Sequence, residues 1–296
     1  MITQKNPNIA WFVDRDRERR KFQKILDGES VQRIMMIRAG AGMGKTWLIN
    51  NFRHECSCRQ IPYAIIDFST RSQGYNYLEV LRSIRDSLGA QNFNDFTVLV
   101  NQCFIRSNPF QSLTDLSSTS SVDIKSSPQE SSIDNVAGRD IIRDNNFFFT
   151  RPDTPPELLR SILTDCFKNC LQKMIGNLLP GQFIVWHFDS FEKIDPITRE
   201  WILEEFLQEI KEQAISQLII VLAGQDVPTL PLDWKLIASQ YTLEPWTLND
   251  YQEYLGKKQM ELDSKRIQAL HRSYSGRPLD LAMWVDAASP NEDDEV

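Results

Sequence analysis

The stretch Arg38-Ala-Gly-Ala-Gly-Met-Gly-Lys-Thr46 sets the reading of this chain. Against the pattern G-x-x-x-x-G-K-[ST] it places Gly44, Lys45 and Thr46 in register, with Ala39, another small residue, at the first position. A strand candidate, Val31–Arg38, runs into the loop, and Lys45–His54 leaves it with apolar residues at helical spacing. A strand, a glycine-rich loop and a helix in that order make a cradle for phosphate. Gly40, Gly42 and Gly44 let the backbone, with Ala41 and Met43 between them, turn its N–H groups inward. The helix N-terminus adds partial positive charge. Lys45 is expected to reach the β- and γ-phosphates and the Thr46 hydroxyl to ligate Mg²⁺, with Trp47 bordering the same site. The motif predicts a bound nucleoside triphosphate.

Outward from the loop, short apolar runs alternate with helical patterns. The other strand candidates are Ile61–Phe68, Phe183–Asp189, Gln217–Ala223 and Tyr241–Glu244. Tyr77–Leu88, Pro156–Leu179 and Pro196–Gln213 carry apolar residues at helical spacing. Strands this short and apolar are buried on both faces, and the alternation predicts an α/β fold with a mostly parallel sheet covered by helices.

Phe183-Ile-Val-Trp-His-Phe-Asp189 ends a buried strand in a carboxylate. Asp189 is placed to hold Mg²⁺ through water beside Thr46, the other reading being a helix-capping aspartate, a task that Asp195 and Thr198 already perform nearby. Ser190 follows Asp189, and Glu192 comes two residues later. Glu192 polarises an attacking water if the turn aims it inward, and is otherwise a solvated loop carboxylate. Gln217–Ala223 ends in Gly224-Gln225-Asp226. If that strand lies between the loop strand and the Asp189 strand, Gln225 or Asp226 faces the γ-phosphate; the alternative is a turn that merely closes the strand.

Composition narrows the class. The chain has 296 residues, 41% apolar and 25% charged, enough for one large or two ordinary domains. With 33 Lys plus Arg against 40 Asp plus Glu, the net charge of −7 argues against a bulk electrostatic grip on nucleic acid. The basic runs Arg15–Lys21 and Lys257–Arg266 read as solvated helix faces rather than phosphate contacts. Five cysteines, Cys56, Cys58, Cys103, Cys166 and Cys170, lack zinc-finger spacing even with His54 near the first two, and read as ordinary reduced thiols. No signal peptide or apolar run of membrane-spanning length is present, so a cytoplasmic protein without a membrane partner is expected.

Ser107 to Asp140 breaks the pattern. It holds ten serines in 34 residues and reads as a disordered insert, with Asp134–Asn146 a linker or a small β-element. After Glu244 only helices follow. Thr247 and Asp250 have capping-box spacing and open one that ends near Gly256. A second runs from Ser264 to Tyr274, and Pro278 starts a third that ends at Ala288. The expected division is an N-terminal segment over 1–28, a nucleotide-binding core over 29–246 with the insert at 107–140, a helical lid over 247–290 and an acidic tail over 291–296. Only 18 residues follow Pro278, so no winged helix, repeat sensor or effector domain is expected in this chain.

With these parts in place, the chain resembles the signal-transduction ATPases with numerous domains (the STAND class), relatives of the AAA+ proteins. Trp11-Phe-Val-Asp-Arg-Asp-Arg-Glu18 is similar to the N-terminal "hhGRExE" element of that class, and the Walker A and Walker B segments follow. Leu243-Glu-Pro-Trp-Thr-Leu-Asn-Asp-Tyr-Gln-Glu-Tyr-Leu255 resembles its strand exit and first lid helix, and Gly276-Arg-Pro278 its GxP motif. The resemblance implies a P-loop NTPase core with strand order 5-1-4-3-2, ATP or ADP with Mg²⁺, Val13 and Arg15 near the adenine, and Pro278 closing the pocket. Three positions depart from the family pattern: Asp14 for glycine, Gln225 for the frequent arginine, and Ser190 for an acidic residue. They imply slow turnover or a nucleotide-held switch acting through a protein partner or self-association. The alternatives are an AAA+ ATPase assisting DNA transactions and a nucleotide-binding module that does not hydrolyse.

Overall fold

The computed structural model describes residues 10–70, 75–107 and 155–288. The serine-rich insert, the Asp134–Asn146 stretch and the acidic tail lie outside the described residues, apart from Ser107 itself.

Five strands form one parallel sheet: β1 (Ile34–Arg38), β2 (Tyr63–Asp67), β3 (Ile184–Asp189), β4 (Leu218–Gly224) and β5 (Ala238–Thr242). Their order is β2-β3-β4-β1-β5, which read from the other edge is 5-1-4-3-2. β4 lies between β1 and β3, with Arg38 opposite Gly224 and Phe188 opposite Leu222. All residues of β3 and β4 are buried, as continuous Val/Ile/Leu-rich runs in a covered parallel sheet require. β5 sits three residues earlier than expected at its start. It is an edge strand whose Ser239 and Gln240 are polar, so only its second half shows an apolar pattern.

The chain divides into two compact units, residues 1–89 with 174–296, and residues 90–173. In the first, α1 (Asp16–Leu26) and α2 (Lys45–Cys58) pack through Phe22 and Phe52, stacked 4.2 Å apart, over Met35, Ile37, Val185, Ile219 and Val221. α3 (Tyr77–Leu88) opens on a full capping box between Asn76 and Glu79. The second unit contains α4 (Asn94–Ser107) and most of α5 (Pro156–Gly176), joined by Phe93, Phe96 and Phe167. The apolar spacing of α4 had not stood out from its polar neighbours.

Beyond β3, α6 (Pro196–Ile202) is capped by the Asp195 side chain on Thr198 N–H, then passes through a π turn, Leu203–Leu207, into α7 (Gln208–Lys211). From Trp246 onward the chain builds its own apolar cluster. α8 (Leu248–Lys257), α9 (Ser264–Tyr274) and α10 (Pro278–Ala288) contribute Tyr251, Tyr254, Leu255, Ile267, Leu281 and Val285, and Val13 joins them. Thr247 and Asp250 form the capping box of α8. Among the described residues no helix is long and apolar enough to cross a membrane.

Candidate nucleotide site

The loop between β1 and α2 lies over the C-terminal edge of the sheet, where Ala39 N–H donates to Gly224 O at 3.1 Å. Gly42 and Gly44 take φ of 77° and 87°, a region that a Cβ disfavours. Gly42 has a second constraint: a Cβ there would stand 3.0 Å from Arg277 Nη2 and 3.1 Å from Leu279 Cβ. Lys45 Nζ donates to Ala39 O at 2.7 Å and Gly40 O at 2.9 Å, so the ammonium rests on its own loop. Burial lowers the Lys45 pKa, while Glu192 and Asp189 pull it upward.

Strand pairing carries Asp189 to this loop. Thr46 Oγ1 donates to Asp189 Oδ2 at 2.7 Å, and Ser190 N–H donates to Asp189 Oδ1 at 2.8 Å. Burial raises the Asp189 pKa; the two hydrogen bonds oppose it, and Asp67, its register partner on β2, adds to the rise. A hydroxyl and a carboxylate at the mouth of a phosphate loop are hard oxygen donors, and the set fits Mg²⁺.

The tip of β4 holds Glu192. Gln225 N–H donates to Glu192 Oε2 at 2.9 Å, and Gln225 Nε2 lies 3.4 Å from Oε1. A Cβ on Gly224 would stand 2.9 Å from the same Oε2, so glycine makes room for this carboxylate. Asp226 instead pairs with Arg38 at 2.9 Å and Arg199 at 3.3 Å.

These groups surround a cavity of about 340 Å³. Gly42, Gly44, Lys45, Thr46 and Trp47 border it from the loop and α2; Ser69, Asp189, Ser190, Glu192, Lys193 and Gln225 from the strand ends; Pro278 and Leu279 from α10. The lining therefore combines apolar Trp47, Pro278 and Leu279 with charged Lys45, Asp189, Glu192 and Lys193. Such a lining suits a ligand with an apolar ring system and a string of phosphates. Leu279 N–H donates to Gly42 O at 3.1 Å, which ties α10 to the loop. Trp47 packs on Trp246 and Tyr254 with ring centroids 6.4 and 6.1 Å away.

Ala39, Gly40, Ala41 and Met43 shape the loop without bordering the cavity, and Val13 and Arg15 stand back from it. Val13 is buried among Trp246 and residues of α8 to α10. Arg15 is 7% exposed, and its guanidinium is drawn under the loop to Met43 O at 3.1 Å, Glu244 O at 2.9 Å and the Asp14 carboxylate at 2.6 Å. Asp14 and Arg15 both take positive φ, 61° and 68°, so position 14 suits the glycine that Asp14 replaces. Ser69, Lys193 and Leu279 border the cavity with no motif to announce them. Their one signal in sequence is adjacency, to a strand end, to Glu192 and to Pro278.

No family model matches this chain, and no curated protein sequence matches it. Solved structures do. Cdc6p from Pyrobaculum aerophilum is 12% identical with a TM-score of 0.43, over 88% of this chain and 53% of its own. A signal transduction ATPase with numerous domains and a tetratricopeptide repeat sensor, from Pyrococcus horikoshii, is 10% identical with a TM-score of 0.43, over 94% and 30%. A RuvB variant from Thermotoga maritima is 13% identical with a TM-score of 0.42, over 93% and 61%. The chain thus spans about half of the first of these, under a third of the second and about three fifths of the third. The fold itself stands on the strand order and the loop: this is a P-loop NTPase fold.

Proposed function

We propose that this chain is an ATP-binding regulatory ATPase of the STAND type, in which the nucleotide sets the position of a lid formed by α8 to α10. The observation that carries the reading is the Leu279 N–H to Gly42 O bond, which seats the first turn of α10 on the phosphate loop. A phosphate entering the loop meets the residues that hold the lid, so diphosphate and triphosphate have different contacts to offer it. Differential contact of this kind is what a nucleotide switch needs.

In this reading Lys45 leaves the loop carbonyls for the β- and γ-phosphates. Thr46 and Asp189 would hold Mg²⁺, which when bound offsets charge on the phosphates. Glu192 accepts a proton from water at the γ-phosphate end, and its engagement by Gln225 keeps turnover slow. Pro278 and Trp47 border the nucleoside, while Val13 and Arg15 act from behind the pocket wall. Self-association or a protein partner reads the lid position. DNA-directed work is less favoured, because the basic runs have partners within the chain. Arg19 donates to Asn51, Arg17 lies over Tyr241, Lys257 Nζ donates to Phe12 O and Lys258 lies over Trp11.

Tryptophan fluorescence and sedimentation test the reading together, since Trp47 and Trp246 lie between loop and lid. Mg-ATP and Mg-ADP should give different emission and different oligomer distributions, and Lys45→Ala should abolish both responses. Identical responses to the two nucleotides would leave a nucleotide-stabilised module that does not switch. No response to either would remove the nucleotide assignment.

A further inference from the structure

Among the polar groups lining the cavity most donors have acceptors. Thr46 Oγ1 and Ser190 N–H serve Asp189, and both nitrogens of Gln225 face Glu192; outside the lining, Arg38 and Arg199 share Asp226. Lys45 belongs to the loop. Lys193 also borders the cavity, and its ammonium has no ion pair or hydrogen bond among the described residues. Its backbone is held in place: Lys193 N–H donates to Ser190 O at 2.9 Å, and Phe191 in the same turn is fully buried. A fixed backbone therefore places an exposed lysine, unpaired among the described residues, at the rim.

Electrostatics gives that cation a task. Asp189 and Glu192 place two carboxylates where a third phosphate would arrive, and Gln225 is neutral. A diphosphate would stop at the loop, whereas a triphosphate would extend toward the Glu192 carboxylate, where a cation beyond Lys45 and the Mg²⁺ that Thr46 and Asp189 would hold favours the added charge. We propose that Lys193 contacts the terminal phosphate of a nucleoside triphosphate and makes the cavity prefer triphosphate over diphosphate. This deepens the reading of the cavity as a nucleotide site and rests on it.

Calorimetric titration of the full chain with Mg²⁺ and either ADP or the non-hydrolysable analogue AMP-PNP tests it. Lys193→Ala should weaken AMP-PNP about tenfold and ADP less than about twofold, because only the triphosphate reaches the charge-assisted contact. Lys193→Arg should stay near the natural chain. Lys193→Met, which keeps the stem without the charge, should behave like Lys193→Ala. An unchanged AMP-PNP to ADP ratio in both neutral variants overturns the role of Lys193 while leaving the nucleotide site standing. An equal loss for both ligands overturns it as well, since that marks a general defect of the rim. If the natural chain binds neither nucleotide, the parent reading fails first.

Discussion

The sheet core and the lid solve the same packing problem with different materials. On one face of the sheet the strands bury aliphatic side chains, Met35, Ile37, Val185, Ile219, Val221 and Ala223, beneath the Phe22–Phe52 stack. In the lid, Trp246, Tyr251 and Tyr254 share the buried cluster with Leu255, Ile267, Leu281 and Val285, and two polar tips are tied: Tyr251 Oη donates to Arg277 O at 3.2 Å, and His271 Nε2 donates to Trp246 O at 2.9 Å. Each region holds a histidine, which sharpens the contrast. His271 has a carbonyl, whereas His187, in the middle of β3, is fully buried with neither ring nitrogen paired among the described residues. Aliphatic packing is dense and indifferent to direction, and has nothing to offer a polar atom. Rings with bonded tips specify an orientation, and those bonds can be exchanged for water.

The largest expected effect lies in the core. Phe52→Ala removes the ring stacked on Phe22 and should cost about 4 kcal/mol in chemical unfolding, because surrounding strands cannot collapse into the space. If it costs no more than a lid substitution, the core is not the rigid partner. Gly276→Ala should come next, at about 3 kcal/mol, since φ is 71° and the new Cβ would stand 2.6 Å from Trp246 O. Its loss should concentrate in the lid, read as faster amide exchange in α8 to α10 than in β3 and β4.

His187→Leu should act in the opposite direction, raising stability at pH 7 by about 1–2 kcal/mol by removing unpaired buried nitrogens. Burial, reinforced by Arg53, holds the His187 pKa down at about 3 against an ordinary 6.5. The unfolded chain therefore takes up this proton as pH falls below 6.5 while the folded chain does not. The contribution of His187 is complete above pH 6.5 and is lost as pH drops toward 3. The stability difference between His187→Leu and the natural chain should accordingly widen from pH 7 to pH 4; a constant difference would show that His187 does not titrate in this way. The smallest effect belongs to Tyr251→Phe, about 1 kcal/mol from one lost hydrogen bond to a carbonyl. A cost above that of Gly276→Ala would mean that the tip bonds, not the close backbone approach, hold the lid.

Much of the fold was legible because its signals are local. The Arg38–Thr46 stretch, the apolar runs of β3 and β4, and the Thr247 cap each act within a few residues, whereas the strand order, which the structure bears out, followed only from the family resemblance. Where the signal was weak, the reading slipped: half of β5 is polar because it is an edge. At the candidate site, Lys45, Thr46, Asp189, Glu192, Gln225 and Pro278 do border one cavity. Lys193 and Leu279 were not legible, because nothing in their neighbourhood along the chain requires a lysine or a leucine.

From composition and pattern alone, then, follow a phosphate loop, a buried carboxylate strand and helices after the sheet, since backbone sterics and hydrophobic periodicity are properties of neighbouring residues. Tertiary structure decided the pairings. It placed Glu192 under the Gln225 amide, Arg15 beneath Met43 and Glu244, Leu279 on Gly42 and His187 among apolar rings. Each of these joins groups far apart along the chain, and a short-range hydrogen bond or ion pair exists only once the packing of the sheet and lid has set the distance.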